Sequence, residues 1–233
     1  MSEPVAAADG FPAELGVPVV RGALLDDAVV KHPLRGSEVV FRGHVWDVVR
    51  EQVELPGDDG PALLTRELTR HPGAVTVLTL DDDGNVLLIK QYRHPVRREL
   101  WGLPAGLLDV DGERPLLAAQ RELAEEADLR AADWAVLADW FNSPGGSSEA
   151  NRIYLARGLS AVPEAERHQR EDEERHIVPV RVPLAEAVTA VLAGRLRNPG
   201  TVIGVLALAA AQAAGWSTLR PADEPWPAEL PRS

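Results

Sequence analysis

Residues Gly106–Leu129 read GLLDVDGERPLLAAQRELAEEADL, and their core, Arg121-Glu122-Leu123-Ala124-Glu125-Glu126, sets three carboxylates beside an arginine. Gly112 and the pair Arg114-Pro115 mark a loop running into a helix, because the first helical turn accepts a proline whose missing N–H has no partner there anyway. The spacing predicts a helix starting near Pro115. At about 100° per residue, Leu116, Ala119, Leu123 and Ala127 fall within roughly 80° of one another and form one apolar stripe. Glu122, Glu125 and Glu126 occupy the adjoining arc of about 100°.

Glu122 and Glu126 stand four residues apart, where like charges repel, and within the expected helix neither has a cation four residues away. A lone Glu-Glu pair is ordinarily a solvated helix face. Three carboxylates on one side of a helix can also offer oxygens to a hard divalent cation such as Mg²⁺, which keeps waters and substrate phosphate oxygens as its remaining ligands. Arg121 can pair with Glu113 or Glu125 and hold a carboxylate in place.

Glu113, seven intervening residues and then Arg121-Glu122-Leu123-x-Glu125-Glu126 reproduce the spacing of the Nudix box, and the chain resembles the Nudix hydrolases over about Val39 to Ala214. Two positions depart from that pattern. Gly106 lies one residue further from Glu113 than usual, which lengthens a loop. Asp128 stands where a glycine is usual, at the expected end of the helix, and Asp is among the residues that best accept left-handed backbone angles. The flanks Gln91-Tyr92-Arg93, Leu100-Trp101-Gly102-Leu103-Pro104-Ala105-Gly106 and Ser143-Pro144-Gly145 are similar to those of ADP-ribose pyrophosphatases, including a proline, Pro144, sixteen residues beyond Asp128. Gly102 replaces a usual glutamate, and Gly146-Ser147-Ser148 replaces a bulkier residue and an aspartate.

The resemblance implies a metal-dependent hydrolase of ADP-ribose or a related nucleoside diphosphate derivative. It implies that Glu122, Glu125, Glu126 and the main-chain carbonyl of Ala105 hold two or three Mg²⁺, or Mn²⁺, with Arg121 steadying the carboxylates. A loop glutamate would orient the attacking water, and Glu171-Asp172-Glu173-Glu174 stands in the matching place, with Glu173 and Glu174 the candidates. Arg93 and Pro144 are the expected substrate contacts. Another nucleotide sugar, or a non-catalytic ligand sensor on the same fold, is the alternative; such sensors usually append a DNA-binding helical domain, and about nineteen residues follow Ala214.

Composition narrows the class. With 24 Lys plus Arg against 36 Asp plus Glu the net charge is −12, which argues against nucleic acid as a partner. There is no cysteine, hence no disulfide, zinc–thiolate site or cysteine nucleophile. The N-terminus carries acids at Glu3 and Asp9 and lacks a secretory h-region, and the longest apolar stretch, Val202–Ala214, falls short of the roughly twenty residues that span a membrane. A cytoplasmic protein with no membrane partner is expected. An anionic substrate in so acidic a chain needs local cations; metals and Arg93, Arg97 and Arg98 are the candidates.

The pattern along the chain is mostly β before the box and mixed after it. Val39–Val53 and Leu63–Leu68 read as strands, and Ala74–Leu80 and Val86–Ile89 flank Asp81-Asp82-Asp83-Gly84-Asn85 as an expected hairpin. Trp134–Phe141, Arg152–Ala156 and Ile177–Val182 follow as strands, then helices from Pro183 to about Leu192 and from Thr201 to Ala214. The expected fold is α/β (α+β): an α/β/α sandwich around a mixed sheet, with a small N-terminal antiparallel β subdomain. The expected divisions are a lead-in over 1–36, a β subdomain over 37–70, the hydrolase domain over 71–215 and a tail over 216–233. Ends rich in Pro, Ala and charge are expected to trail in solvent. In the resembling subfamily the β subdomain contributes to a homodimer, and the same is expected here.

Overall fold

The computed structural model describes residue 22, residues 25–170, residue 175 and residues 177–226 of the chain. Glu173 and Glu174 therefore lie outside the described residues.

Three strands, β1 (Leu34–Arg42), β2 (Asp47–Leu55) and β3 (Ala62–Arg70), form an antiparallel sheet in the order β1-β2-β3. The expected single strand-like run from Val39 to Val53 is broken between β1 and β2 by a turn at Gly43, where a Cβ would meet the Trp46 carbonyl oxygen at 2.3 Å.

Eight further strands and three helices make the rest. They are β4 (Ala74–Thr79), β5 (Asn85–Arg93), β6 (Arg98–Gly102), β7 (Ala105–Leu107), α1 (Pro115–Ala127), β8 (Leu129–Phe141), β9 (Ala150–Ala161), β10 (Val178–Pro183), α2 (Leu184–Leu192), α3 (Pro199–Ala213) and β11 (Arg220–Pro221). A mixed five-stranded sheet runs β11-β8-β9-β4-β7, with β4 parallel to β9; a second, antiparallel sheet runs β10-β5-β6. Helix α1 covers one face, its Ala118, Ala119 and Leu123 packing with Val75, Val77, Leu87, Ile89 and Tyr154. Leu184, Ala187 and Val191 of α2 and Val205 and Leu208 of α3 cover the other face with Leu78, Leu88, Ile153 and Leu155. The sandwich is thus a helix, sheets, and a pair of helices. Among the described residues no helix is long and apolar enough to cross a membrane.

The hairpin expected at 81–85 does not form as one. The turn is present: Asp81 Oδ1 accepts the amides of Asp83 and Asn85, and the Asp81 amide donates to the Asn85 carbonyl. Beyond it the strands part, β4 to β7 and β9, β5 to β6 and β10. Both runs are buried on both faces, with Val75–Leu78 and Val86–Ile89 all in the core. Side chains on both faces of each strand must be covered, and parting supplies helices above and below both. Smaller differences lie at helix ends. Pro183 precedes α2 rather than opening it, and α3 begins two residues early, at Pro199, because Asn198 Oδ1 accepts the Thr201 amide.

Residues 220–226 do not trail in solvent. β11 pairs with β8 through Arg220 and Pro221. Beneath this segment Arg152 of β9, 1% exposed, donates Nε and Nη2 to Asp139 at 2.7 and 3.1 Å and reaches the carbonyls of Glu224 (2.7 Å) and Pro225 (3.1 Å). Its guanidinium also lies 5.3 Å from the Trp226 ring. A buried cation needs this many acceptors, and composition gave no hint of it because its partners lie up to 73 residues away. Removing one partner of a buried ion pair costs roughly 3–5 kcal/mol. Arg152→Leu is expected to lose about 3 kcal/mol in urea denaturation, the low end because Arg220 still faces Asp139 at 2.7 Å, and to open 220–226 to limited proteolysis. Unchanged stability and protection would refute the fastening role.

Candidate active site

Helix α1 begins at Pro115 and ends at Asp128, whose backbone is left-handed (φ 54°, ψ 34°), so the position usually held by glycine keeps the glycine conformation. Leu123, Ala119 and Ala127 are buried, as the periodicity predicts. The neighbouring arc carries the acids.

Arg121 holds them in order. Its Nε and Nη2 donate to the two oxygens of Glu113 at 3.1 and 3.0 Å, and its Nη1 donates to Glu122 and, at 3.2 Å, to Glu125. The bidentate bond to Glu113 pushes the guanidinium further above its usual range, so it stays charged at any working pH. Glu113 sits just before the helix, and the loop folds back to bring it to Arg121.

Glu126 is fixed from another side. Its Oε2 accepts the Ala105 amide at 2.8 Å. Ala105 and Gly106 belong to β7, which pairs with β4, and the carbonyl of Pro104 accepts the Val77 amide at 2.8 Å. Gly106 lies directly under Glu122: a Cβ there would stand 1.9 Å from Glu122 Oε1. Only glycine leaves room for that carboxylate. Arg121, Glu122, Glu125, Glu126 and Ala105 are thus joined in one group.

Glu122 and Glu126 are both buried, and a carboxylate is a hard oxygen donor suited to a divalent cation. Among the described residues no three acids or histidines are gathered closely enough to hold a metal ion between them. Glu122 and Glu125 lean on Arg121, and Glu126 leans on the Ala105 amide.

Arg170 is the residue the sequence reading missed. Its Nη2 donates to Asp128 Oδ2 at 2.6 Å and its Nε to the Glu125 carbonyl at 2.8 Å, capping the C-terminal end of α1. An acid where glycine is usual was the available signal, since a carboxylate at a helix C-terminus opposes the helix dipole and calls for a cation.

The remaining candidates belong to other elements. Arg93 ends β5, exposed, and Pro144 lies exposed in the loop between β8 and β9; among the described residues no hydrogen bond or ion pair joins either to the carboxylate group. The Pro144 loop is stitched instead to the end of β3. The Thr69 amide donates to the Gly146 carbonyl at 2.9 Å, the Ser148 amide to the Thr69 carbonyl at 3.0 Å, and the His71 amide to Ser148 Oγ at 2.9 Å. Ser147 and Ser148, unusual by the resemblance, supply hydroxyls that hold this loop, Ser147 Oγ accepting the Glu149 amide.

The match to the NUDIX domain model covers residues 69–200, more than half the chain. The chain is 44% identical over 190 residues to the ADP-ribose pyrophosphatase of Mycobacterium tuberculosis, covering 82% of this chain and 88% of that protein. It is 36% identical to the ADP-ribose pyrophosphatase of Bacillus subtilis, covering 66% and 80%. A crystal structure of an ADP compounds hydrolase shares the fold at TM-score 0.59 and 23% identity, covering 82% of this chain and 99% of that one. The chain belongs to the Nudix family and is a hydrolase of pyrophosphate bonds. Enzymes of this family generally need a divalent metal ion.

Two outcomes follow. Gly106→Ala is expected to cut turnover at least about 100-fold, since misplacing one catalytic group by about an ångström has that scale of effect, while circular dichroism stays native. Full activity would show that Glu122 can move away at no cost. His71 is held below its ordinary pKa chiefly by burial, against the pull of Glu149, and its Nδ1 accepts the Gly73 amide, which an imidazolium cannot do. Below the unfolded value of about 6.5 the unfolded chain takes the proton more readily than the native one, so stability falls with acidification from there. His71→Gln should flatten the pH 5–7 slope in urea titrations; an unchanged slope would assign it elsewhere.

Proposed function

We propose that this Nudix hydrolase cleaves the diphosphate of ADP-ribose into AMP and ribose 5-phosphate. The observation that carries the reading is the extended likeness to two ADP-ribose pyrophosphatases over the span that holds the box and both flanks, the Gln91-Tyr92-Arg93 and Pro144 segments included.

Glu122, Glu125, Glu126 and the Ala105 carbonyl would hold Mg²⁺, with Mn²⁺ as a substitute; a bound metal polarises phosphorus and lowers the pKa of its water. Arg121 keeps Glu122 and Glu125 oriented. Gly106 gives Glu122 its seat, and the Ala105 amide fixes Glu126. Glu173 or Glu174 is the base that takes the proton from the attacking water. Arg93 meets substrate negative charge, and the Pro144 loop borders the substrate.

The working unit is a homodimer and its compartment the cytoplasm. Supporting the first, the β1-β2-β3 sheet and its first turn expose Leu34, Val39, Phe41, Trp46 and Leu63, apolar side chains that a partner subunit would cover. Light scattering on the eluting protein should give twice the chain mass of 25.2 kDa at micromolar concentration; a monomer would sink the dimer.

The decisive assay is turnover of ADP-ribose, GDP-mannose, NADH, diadenosine polyphosphates and 8-oxo-dGTP with Mg²⁺ and with Mn²⁺, products identified by mass. AMP plus ribose 5-phosphate from ADP-ribose alone is expected. Cleavage of another member in preference would move the substrate, and tight binding without cleavage would favour a sensor. Glu126→Gln should lower turnover by orders of magnitude with the fold kept, because an amide is a much weaker metal ligand. Separate Glu173→Gln and Glu174→Gln proteins should differ by roughly 100-fold or more in kcat if one is the base, and equal modest losses would exclude both.

A further inference from the structure

Alternation along β5 divides its side chains between two layers. Leu87 and Ile89 pack against α1, whereas Val86 and Leu88 face α2 and α3. Lys90 therefore falls on the α2/α3 side, together with Trp101 of β6, which packs against that second core. Lys90 Nζ sits 2.9 Å from Glu99 and 5.7 Å from the centroid of the Trp101 ring. Around Lys90 and the edge strand β6 lies a concavity of about 350 Å³ lined by Lys90, Arg98, Glu99, Leu100, Arg195 and Arg197.

Its charge runs against the rest of the molecule. The chain as a whole carries −12, yet four cations line this hollow against one carboxylate. That carboxylate is engaged by Lys90, and among the described residues Arg98, Arg195 and Arg197 take part in no ion pair. Cations so close together repel one another, a cost that a bound anion relieves. Arg195 and Arg197 come from the loop after α2, and Arg197 immediately precedes Asn198, the N-cap of α3, whose positive dipole end adds to the field. Arginine predominates, and the planar guanidinium matches two phosphate oxygens at once. A simple solvated surface would intersperse acids among these bases, as β1, β2 and β3 do with Arg50 between Glu38 and Glu67.

We propose that this concavity is a second anion site, separate from the metal-site carboxylates, that takes the di- or triphosphate group of a small molecule through Lys90, Arg98, Arg195 and Arg197. Its volume admits such a group with waters but not a folded partner. The site needs no metal, because the protein itself supplies the counter-charge. It does not depend on which nucleotide sugar the enzyme cleaves.

The test is isothermal titration of inorganic pyrophosphate into the full chain in EDTA, which withholds metal from the carboxylate site. One site per chain is expected, weakening as salt rises. Arg195→Ala/Arg197→Ala should weaken binding at least tenfold, while Arg66→Ala, an exposed arginine on β3, should leave it unchanged. The double variant should keep metal-dependent turnover within twofold of the parent. Absence of binding, or equal affinity in parent and double variant, would overturn the site. Turnover collapsing together with binding would overturn its separateness, since the cavity would then belong to the substrate site.

Discussion

The bond from the Ala105 amide to Glu126 joins the two pieces of chain that this site needs. One piece is a short edge strand anchored to β4 by its own ladder; the other is a helix anchored to the core by Leu123 and its neighbours. Neither anchoring alone fixes a carboxylate. Where they meet, an amide faces one acid and a glycine makes room for another, so main-chain geometry sets side-chain positions with no rotamer freedom left at the contact. Most of the fold can be read as support for that junction: β9 and β4 run parallel behind it, and α2 and α3 close the sheets from the far side.

Charge is arranged by the same economy. A carboxylate group of this density would repel itself, and Arg121 answers by gathering Glu113, Glu122 and Glu125 around one guanidinium. The arginine is held at four points, which is why it orders the acids rather than merely neutralising them. At the other end of α1, Asp128 and Arg170 solve a local problem created by the sequence itself. An aspartate tolerates the left-handed turn, but its charge meets the negative end of the helix, and Arg170 offsets both.

How legible was all this beforehand? Helix α1 was legible to the residue, because Pro115 marks its start, the 3.6 periodicity marks its buried face, and Asp128 accepts the backbone angles of its end. The pairing of Arg121 with Glu113 and Glu125 was legible for the same reason, since local spacing governs it. Most strand positions were legible too, though the short strands β6, β7 and β11 were not, and partners were not. The turn at 81–85 has hairpin chemistry, and only the burial of both faces of β4 and β5, a tertiary property, separates them. The buried Arg152 was invisible because its partners are distant in sequence; for Arg170, Asp128 called for a cation without saying which, since a one-dimensional pattern carries no information about which charges will meet. Arg93 and Pro144 were selected by resemblance, and they stand at a strand end and in a loop, whose paths composition does not specify.

The fastening of Arg152 also bears on how the chain is made. The arginine is translated 72 residues before Glu224 and 73 before Pro225, whose carbonyls complete its shell. During synthesis the pairing of β8 with β9 can form, with Asp139 already available, while that shell is still incomplete. Domains fold as they emerge, so the central sheet passes through an interval in which a buried cation is only half satisfied. The shell of Arg152 is complete only once residues 220–226 close over the sheet, a clasp rather than a collapse.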